Sequence, residues 1–114
     1  AGILLAKVIN VPDGATGNVD VTCNEKFRVL FVEVHKTGGA GGGGDTIQVQ
    51  RLEDTSNITE AMSINVVLNT IVRPGIFDEA SVTISAAESI RVIRTKASAA
   101  NVACKVIIYG VRSA

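Results

Sequence analysis

Tryptophan is missing from this 114-residue chain, and histidine and methionine occur once each. Prolines number two, cysteines two, and aromatic residues only four: Phe27, Phe31, Phe77 and Tyr109. Each scarcity removes a class of function. Sites for sugars and single-stranded nucleic acids commonly use exposed aromatic platforms, and two of the four aromatics fall inside one apolar segment. With His35 as the only imidazole, a catalytic triad would need its members gathered from distant positions, and no Ser or Cys lies in a nucleophile motif. Cys23 and Cys104 have no further ligands at metal spacing, so no metal site is expected. They are read as buried thiols acting as small hydrophobes, since pairing depends on a Cα separation that sequence does not give.

Charge of either sign in excess is also lacking. Eleven basic residues balance eleven acidic ones, so no broad field draws the chain to nucleic acid or to an anionic membrane. No apolar run approaches the roughly 18 residues of a spanning helix. The segment Ala1-Gly2-Ile3-Leu4-Leu5-Ala6-Lys7 has no basic n-region and no long h-region, and no signal peptide is expected there. No cofactor is expected.

What is present is β-branched and apolar. The chain holds 16 Val and 12 Ile against 5 Leu, with 9 Thr. Such side chains are stiff at χ1 and pack well on a pleated surface, whereas helices favour Leu. Counting Gly but not Tyr, 63 of 114 residues are apolar, about 55%, against a usual value of about 45–50%. Mean hydropathy is +0.34. The excess calls for a dense core, a surface that is covered in use, or both.

Turn residues cut the chain into short segments that fit one domain over residues 1–114. Strands are predicted over 3–11, 19–23, 26–36, 45–52, 63–72, 80–85, 89–95 and 102–112. In 45–52, Ile47 and Val49 face one way and Thr46, Gln48 and Gln50 the other, the pattern of a half-buried strand. Asn57 with Glu60 fits an N-cap followed by an N3 acid, predicting one helical turn within 53–62. The fold class is therefore all-β: an antiparallel β-sandwich, jelly-roll-like, of about eight strands.

Two segments break the rule of one apolar face. In 26–36, Phe27, Val29 and Phe31 alternate with Leu30, Val32 and Val34. In 102–112, Val106 and Ile108 alternate with Ile107, Tyr109 and Val111. A strand apolar on both faces is covered by a second layer or meets another subunit. Leu30, Val32, Val34, Ile107, Tyr109 and Val111 are thus candidate protein-interface residues.

Arg91 and Arg94 join them. Arg91 falls on the face opposite Ile90 and Val92 and Arg94 on the same side as those two, so the arginines form no single stripe. They serve as edge charges that discourage strand pairing, or as donors to a neighbour's carboxylates.

The glycine run at 38–44 is followed by Asp45-Thr46 and a strand, not by the Lys-Ser/Thr and helix of a phosphate loop. It reads as a flexible hairpin loop that would settle only against a partner. The adjacent pairs Glu53-Asp54 and Asp78-Glu79 point to opposite sides of an extended chain and cannot converge as a paired acid and base.

Taken together, 45–51 (DTIQVQR), 58–66 (ITEAMSINV), 89–96 (SIRVIRTK) and 102–112 (VACKVIIYGVR) resemble the small auxiliary head proteins of tailed bacteriophages: cement, staple or decoration subunits. The likeness is one of style and strand order from about residue 27 onward, without a diagnostic motif, and it carries over no site residue. It implies a jelly-roll-like sandwich on the capsid exterior, present in the host cytoplasm during assembly, whose partner is the major capsid protein. The resemblance also implies many identical copies, associating with one another as a homo-oligomer or many-copy assembly, that clamp neighbouring subunits. The competing classes are a carbohydrate- or receptor-binding β-sandwich, which would need an exposed aromatic or a Ca²⁺ cluster, and an enzyme built on the same scaffold.

Overall fold

The computed structural model describes residues 2–74 and 83–113. Two antiparallel sheets face one another across a shared core. In chain order the strands are β1 (Gly2–Val11), β2 (Gly17–Thr22), β3 (Phe27–Lys36), β4 (Thr46–Arg51), β5 (Met62–Ser63), β6 (Ile71–Val72), β7 (Thr83–Ile84), β8 (Ser89–Thr95) and β9 (Cys104–Ser113). The first sheet runs β1-β9-β3-β6, with β7 also on β3, and the second runs β2-β8-β4-β5. Strands adjacent in sequence mostly alternate between the sheets, and the first and last strands pair. This is the jelly-roll arrangement of eight principal strands, β7 adding a second short partner at the start of β3.

Alternation fixes the core. Ile9 and Val11 of β1, Val29, Val32 and Val34 of β3, and Val106 and Ile108 of β9 face Ile47 and Val49 of β4 and Ile90 and Val92 of β8, all buried. Each fully buried Val or Ile side chain contributes roughly 1.5–3 kcal/mol through area removed from water. Lys36 closes the inward row of β3, and its ammonium donates to the Ala103 carbonyl at 3.1 Å.

The structure corrects three expectations about local form. No helix occurs among the described residues, and Asn57 does not cap one: it bridges Gln50 as a strand partner and accepts from its side chain at 2.7 Å. Ile58 and Thr59 are buried beside β4, both amides donating to the Val49 carbonyl, so tertiary pairing overrides the local cap. Segment 63–72 is not one strand. Its ends belong to different sheets, and Asn69, with φ 68°, turns the chain between them. Of the predicted strand at 80–85, only Thr83–Ile84 is described as strand, and 80–82 lie outside the described residues, as do Gly75, Phe77, Asp78 and Glu79.

The third correction concerns the glycine run. It joins strands of different sheets, so it is no hairpin, and it is held against the end of the sandwich. Asp45, completely buried, is the latch. One carboxylate oxygen accepts from the amides of Ala97 at 2.8 Å and Ser98 at 3.0 Å, the other from the Ser98 hydroxyl at 2.7 Å and the Gly42 amide at 3.1 Å. The Ser98 hydroxyl above all, and then these amides, hold the Asp45 carboxyl below the usual range. A side chain at Gly41 would run into the Ile64 carbonyl, whereas one at Gly43 would meet nothing within 4 Å.

Candidate protein-binding face

Parity decides which residues of the two-faced strands are free. In β3 the register against β9 slips between Val29 and Phe31: Val29 pairs Gly110 and Phe31 pairs Tyr109, so β3 has one extra residue, Leu30. Such a bulge places two residues opposite one and reverses the alternation beyond it. Val29 is inward before the bulge and Val32 and Val34 are inward after it, all at 1% exposure or less. The expectation that Val32 and Val34 share an open face with Leu30 is therefore wrong. Both are core residues, and Phe31 takes the outward place at 44% exposure. Leu30 is half-buried at the bulge itself.

β9 carries no shift against β1, and Ile107, Tyr109 and Val111 lie together on its outward side, each half-buried. Register then builds the outer face of the first sheet row by row. Leu4, Val111 and Arg28 form one row, Ala6, Tyr109 and Phe31 the next, Val8, Ile107 and Glu33 the third, and Asn10, Lys105, His35 and Ile71 the last. Leu4 is 77% exposed and Val8 52%. Phe31 and Tyr109 stack with centroids 4.4 Å apart.

Beyond Ile71, Val67 and Leu68 of the β5–β6 connection are also exposed. Leu4, Val8 and Ile71 were not singled out from sequence, and Phe31, expected on one face with Phe27 and Val29, is turned to the opposite face by the bulge. The signal that exposes Leu4 and Val8 is the one applied to β9: Ile3-Leu4-Leu5 and Val8-Ile9 are apolar on both parities.

Within this apolar face sits one compact polar group. Glu33 is 8% exposed. Tyr109 donates its hydroxyl to Glu33 Oε1 at 2.9 Å, Arg73 reaches Oε2 at 2.8 Å, and His35 Nε2 lies 3.5 Å from Oε1. The Tyr109 hydroxyl is the main cause that holds the Glu33 carboxyl below its usual range, with His35 and Arg73 adding to it against the opposing effect of burial. The same bond raises the Tyr109 phenol. A carboxylate with both oxygens occupied and its proton affinity lowered is poorly placed to shuttle protons near neutrality. The group works instead as a fixed polar mark, with the Arg73 guanidinium exposed above it.

The outer face of the second sheet is opposite in character. Asn18, Asp20 and Thr22 of β2, Ser89 and Arg91 of β8, and Thr46, Gln48 and Gln50 of β4 point outward, with Ile93 the one apolar member. Four of these eight polar side chains pair across strands, and Gln48 and Gln50 donate to the Thr59 carbonyl and the Asn57 side chain. Arg91 grips Asp20 through two bonds of 2.8 and 2.9 Å, and Thr22 meets Ser89 at 3.3 Å.

Arg91 is thus committed to a cross-strand pair. Arg94 points the other way and donates to the carbonyls of Ala15 at 2.8 Å and Pro12 at 2.6 Å, clamping the β1–β2 loop. Neither arginine lies on the apolar face, so the structure does not gather them with Ile107, Tyr109 and Val111.

Cys23 and Cys104 are both free and buried, and burial pushes the Cys104 thiol to about 11. Such a thiol is a poor nucleophile. Among the described residues no group of three or more His, Cys, Asp or Glu side chains converges for a metal, and no helix is long and apolar enough to cross a membrane. No family model, curated protein or solved structure matches the chain.

Proposed function

We propose that this chain is a structural protein that docks on another protein through the outer face of its first sheet, and that its partner is the outer surface of a bacteriophage capsid. One observation carries the docking: the two outer faces of one sandwich are built to opposite rules. The second sheet presents polar side chains to water and ties Asp20 to Arg91, Thr22 to Ser89, and Gln48 and Gln50 to the neighbouring Thr59 and Asn57. The first presents Leu4, Val8, Phe31, Ile107, Tyr109 and Val111 across three neighbouring strands.

Contiguous apolar surface of this kind marks an interaction site, and aromatic residues with an arginine at hand are the usual anchors of protein interfaces. The zero net charge fits a subunit packed in many copies, where self-repulsion would oppose assembly. The capsid as partner rests on the resemblance of 45–51, 58–66, 89–96 and 102–112 to cement and decoration subunits. A sugar-binding role has less support: Phe31 is stacked on Tyr109, and the Glu33 oxygens that would bind hydroxyl groups are already occupied.

The test is isolation of the affinity-tagged full chain from the cells that produce it, followed by electron microscopy of what accompanies it. Uniform shells with the tag on their exterior are the expected outcome. Recovery of the chain with no particle, together with hits on a glycan array, would overturn the reading in favour of a sugar-binding module.

A further inference from the structure

The free edge of β1 is a second surface, distinct in kind from the apolar face. β1 is ten residues long and pairs only with β9 among the described residues. An unpaired edge exposes a row of backbone donors and acceptors, and natural sheets blunt it with charge, proline, bulges or short strands. β1 has no proline and no register shift; the one blunting device it carries is Lys7, half-buried on the inner side of the sheet, where the long stem still lets the ammonium turn to water when a strand docks. Ile3 and Leu4, on opposite faces, are both exposed. An edge of this form accepts an extended strand and little else.

The direction of each backbone group follows from the far side of the sheet. Lys36 donates its amide to the Thr70 carbonyl and accepts from the Asn69 amide, both away from β9. Antiparallel pairs alternate between bonded and non-bonded. Cys104, opposite Lys36, therefore turns its groups toward Val11 of β1. Counting back from Val11 by twos, Ile9, Lys7, Leu5 and Ile3 bond to β9. The amides and carbonyls of Leu4, Ala6, Val8 and Asn10 point to the open edge.

From this we infer that the chain forms a two-fold homodimer by antiparallel pairing of β1 with β1 of a second copy, centred on Ala6. The register is chosen by the strand itself. A dyad at Ala6 pairs almost the whole of β1, sets the small Ala6 against its own copy, and places Leu4 opposite Val8 of the partner on the outer face. On the inner face Leu5 lies opposite the aliphatic stem of Lys7, whose ammonium can reach water.

Identical antiparallel edges are what a two-fold axis requires, and a chain of zero net charge does not oppose the approach of its copy. Because this axis stands perpendicular to the sheet, both apolar outer faces end on the same side. The dimer offers one continuous docking surface of twice the width.

Sedimentation equilibrium of the intact chain tests the inference without any particle present, so it succeeds or fails separately from the capsid reading. The expected mass is twice 11.9 kDa. Ala6→Pro removes an amide that faces the edge and not β9, and is expected to halve the mass while the circular dichroism spectrum stays that of the parent. Ala6→Cys is expected to form an intermolecular disulfide on mild oxidation, since bonded antiparallel pairs have a Cα separation near 5.5 Å, within disulfide reach. Asn10→Cys, far from its own copy in this register, is expected to stay unlinked. A parent that is monomeric at every concentration, or a dimer that survives Ala6→Pro and in which Ala6→Cys does not cross-link, would overturn it.

Discussion

Val32→Lys is expected to leave most of the chain unfolded, whereas Phe31→Lys, one residue away, is expected to fold with a melting temperature close to the parent's. Val32 is fully buried between the sheets. Replacing it forfeits roughly 1.5–3 kcal/mol of burial and places an unpaired ammonium in the core at a further cost of several kcal/mol. Domains of this size are stable by only about 5–15 kcal/mol, so the sum removes most of the margin.

Phe31 stands on the outer face at 44% exposure. Its loss removes the stack on Tyr109, about 0.5–1.5 kcal/mol, while the new ammonium remains in water. Thermal unfolding followed by circular dichroism reads both. The reverse order, with Phe31→Lys the more damaging of the two, would mean that the bulge at Leu30 is absent and the parity of β3 is wrong.

The second large effect concerns the glycine loop. Gly41→Ala is expected to destabilise the fold by roughly 3 kcal/mol, at the upper end of the usual overpacking cost, which for a domain of this size lowers the melting temperature by on the order of 10 °C. The added methyl would run into the backbone carbonyl of Ile64, and the Gly41 amide, bonded to the Val66 carbonyl at 2.9 Å, holds the loop where it is. Gly43→Ala is expected to be nearly neutral, because nothing lies within 4 Å of the new methyl and its φ is not positive. Similar melting temperatures for the two variants would show that the loop is loose in solution and that the Asp45 latch does not hold it.

These two contrasts also mark how far sequence alone reaches. The Val- and Ile-rich alternation of 3–11, 26–36, 89–95 and 102–112 identified the long strands, because a period of two with β-branched residues has few other physical solutions. The sandwich followed from it. Alternation also placed Arg91 and Arg94 on opposite faces. It could not place Val32 and Val34, because one inserted residue at Leu30 reverses every side chain after it and no residue type announces a bulge.

The glycine run reads as flexible from sequence because its constraint comes from Ile64 and Ser98, residues far along the chain. For the same reason Asp45 passes for the first residue of a strand until the segments that bring Ala97 and Ser98 to it are in place. The segment at 63–72 misled for a different reason. Ile64, Val66 and Leu68 alternate as a strand does, but the positive φ at Asn69 and the bonds from Ile64 to Asp45 and from Gly41 to Val66 make it a crossing between sheets.

Of the candidate interface, Ile107, Tyr109 and Val111 were legible because β9 runs without interruption and both of its parities are apolar. Leu4 and Val8 were equally legible in principle and become visible once β1 is seen to lie beside β9. The polar group around Glu33 was not legible at all, since Arg73, His35 and Tyr109 reach it from three strands or their ends.

The claim on which the account turns is that the outer face of the first sheet, and not that of the second, meets the partner. Capture of purified shells by two variants of the full chain tests it most directly. Phe31→Lys sits in the apolar face beside Tyr109, and Gln48→Lys sits in the polar face of β4, so each adds the same charge on an outward position. The account predicts that Phe31→Lys loses at least 30-fold in affinity, the scale of a central interface anchor at about 2 kcal/mol, while Gln48→Lys binds as the parent does. Loss at Gln48→Lys with binding retained at Phe31→Lys would contradict it.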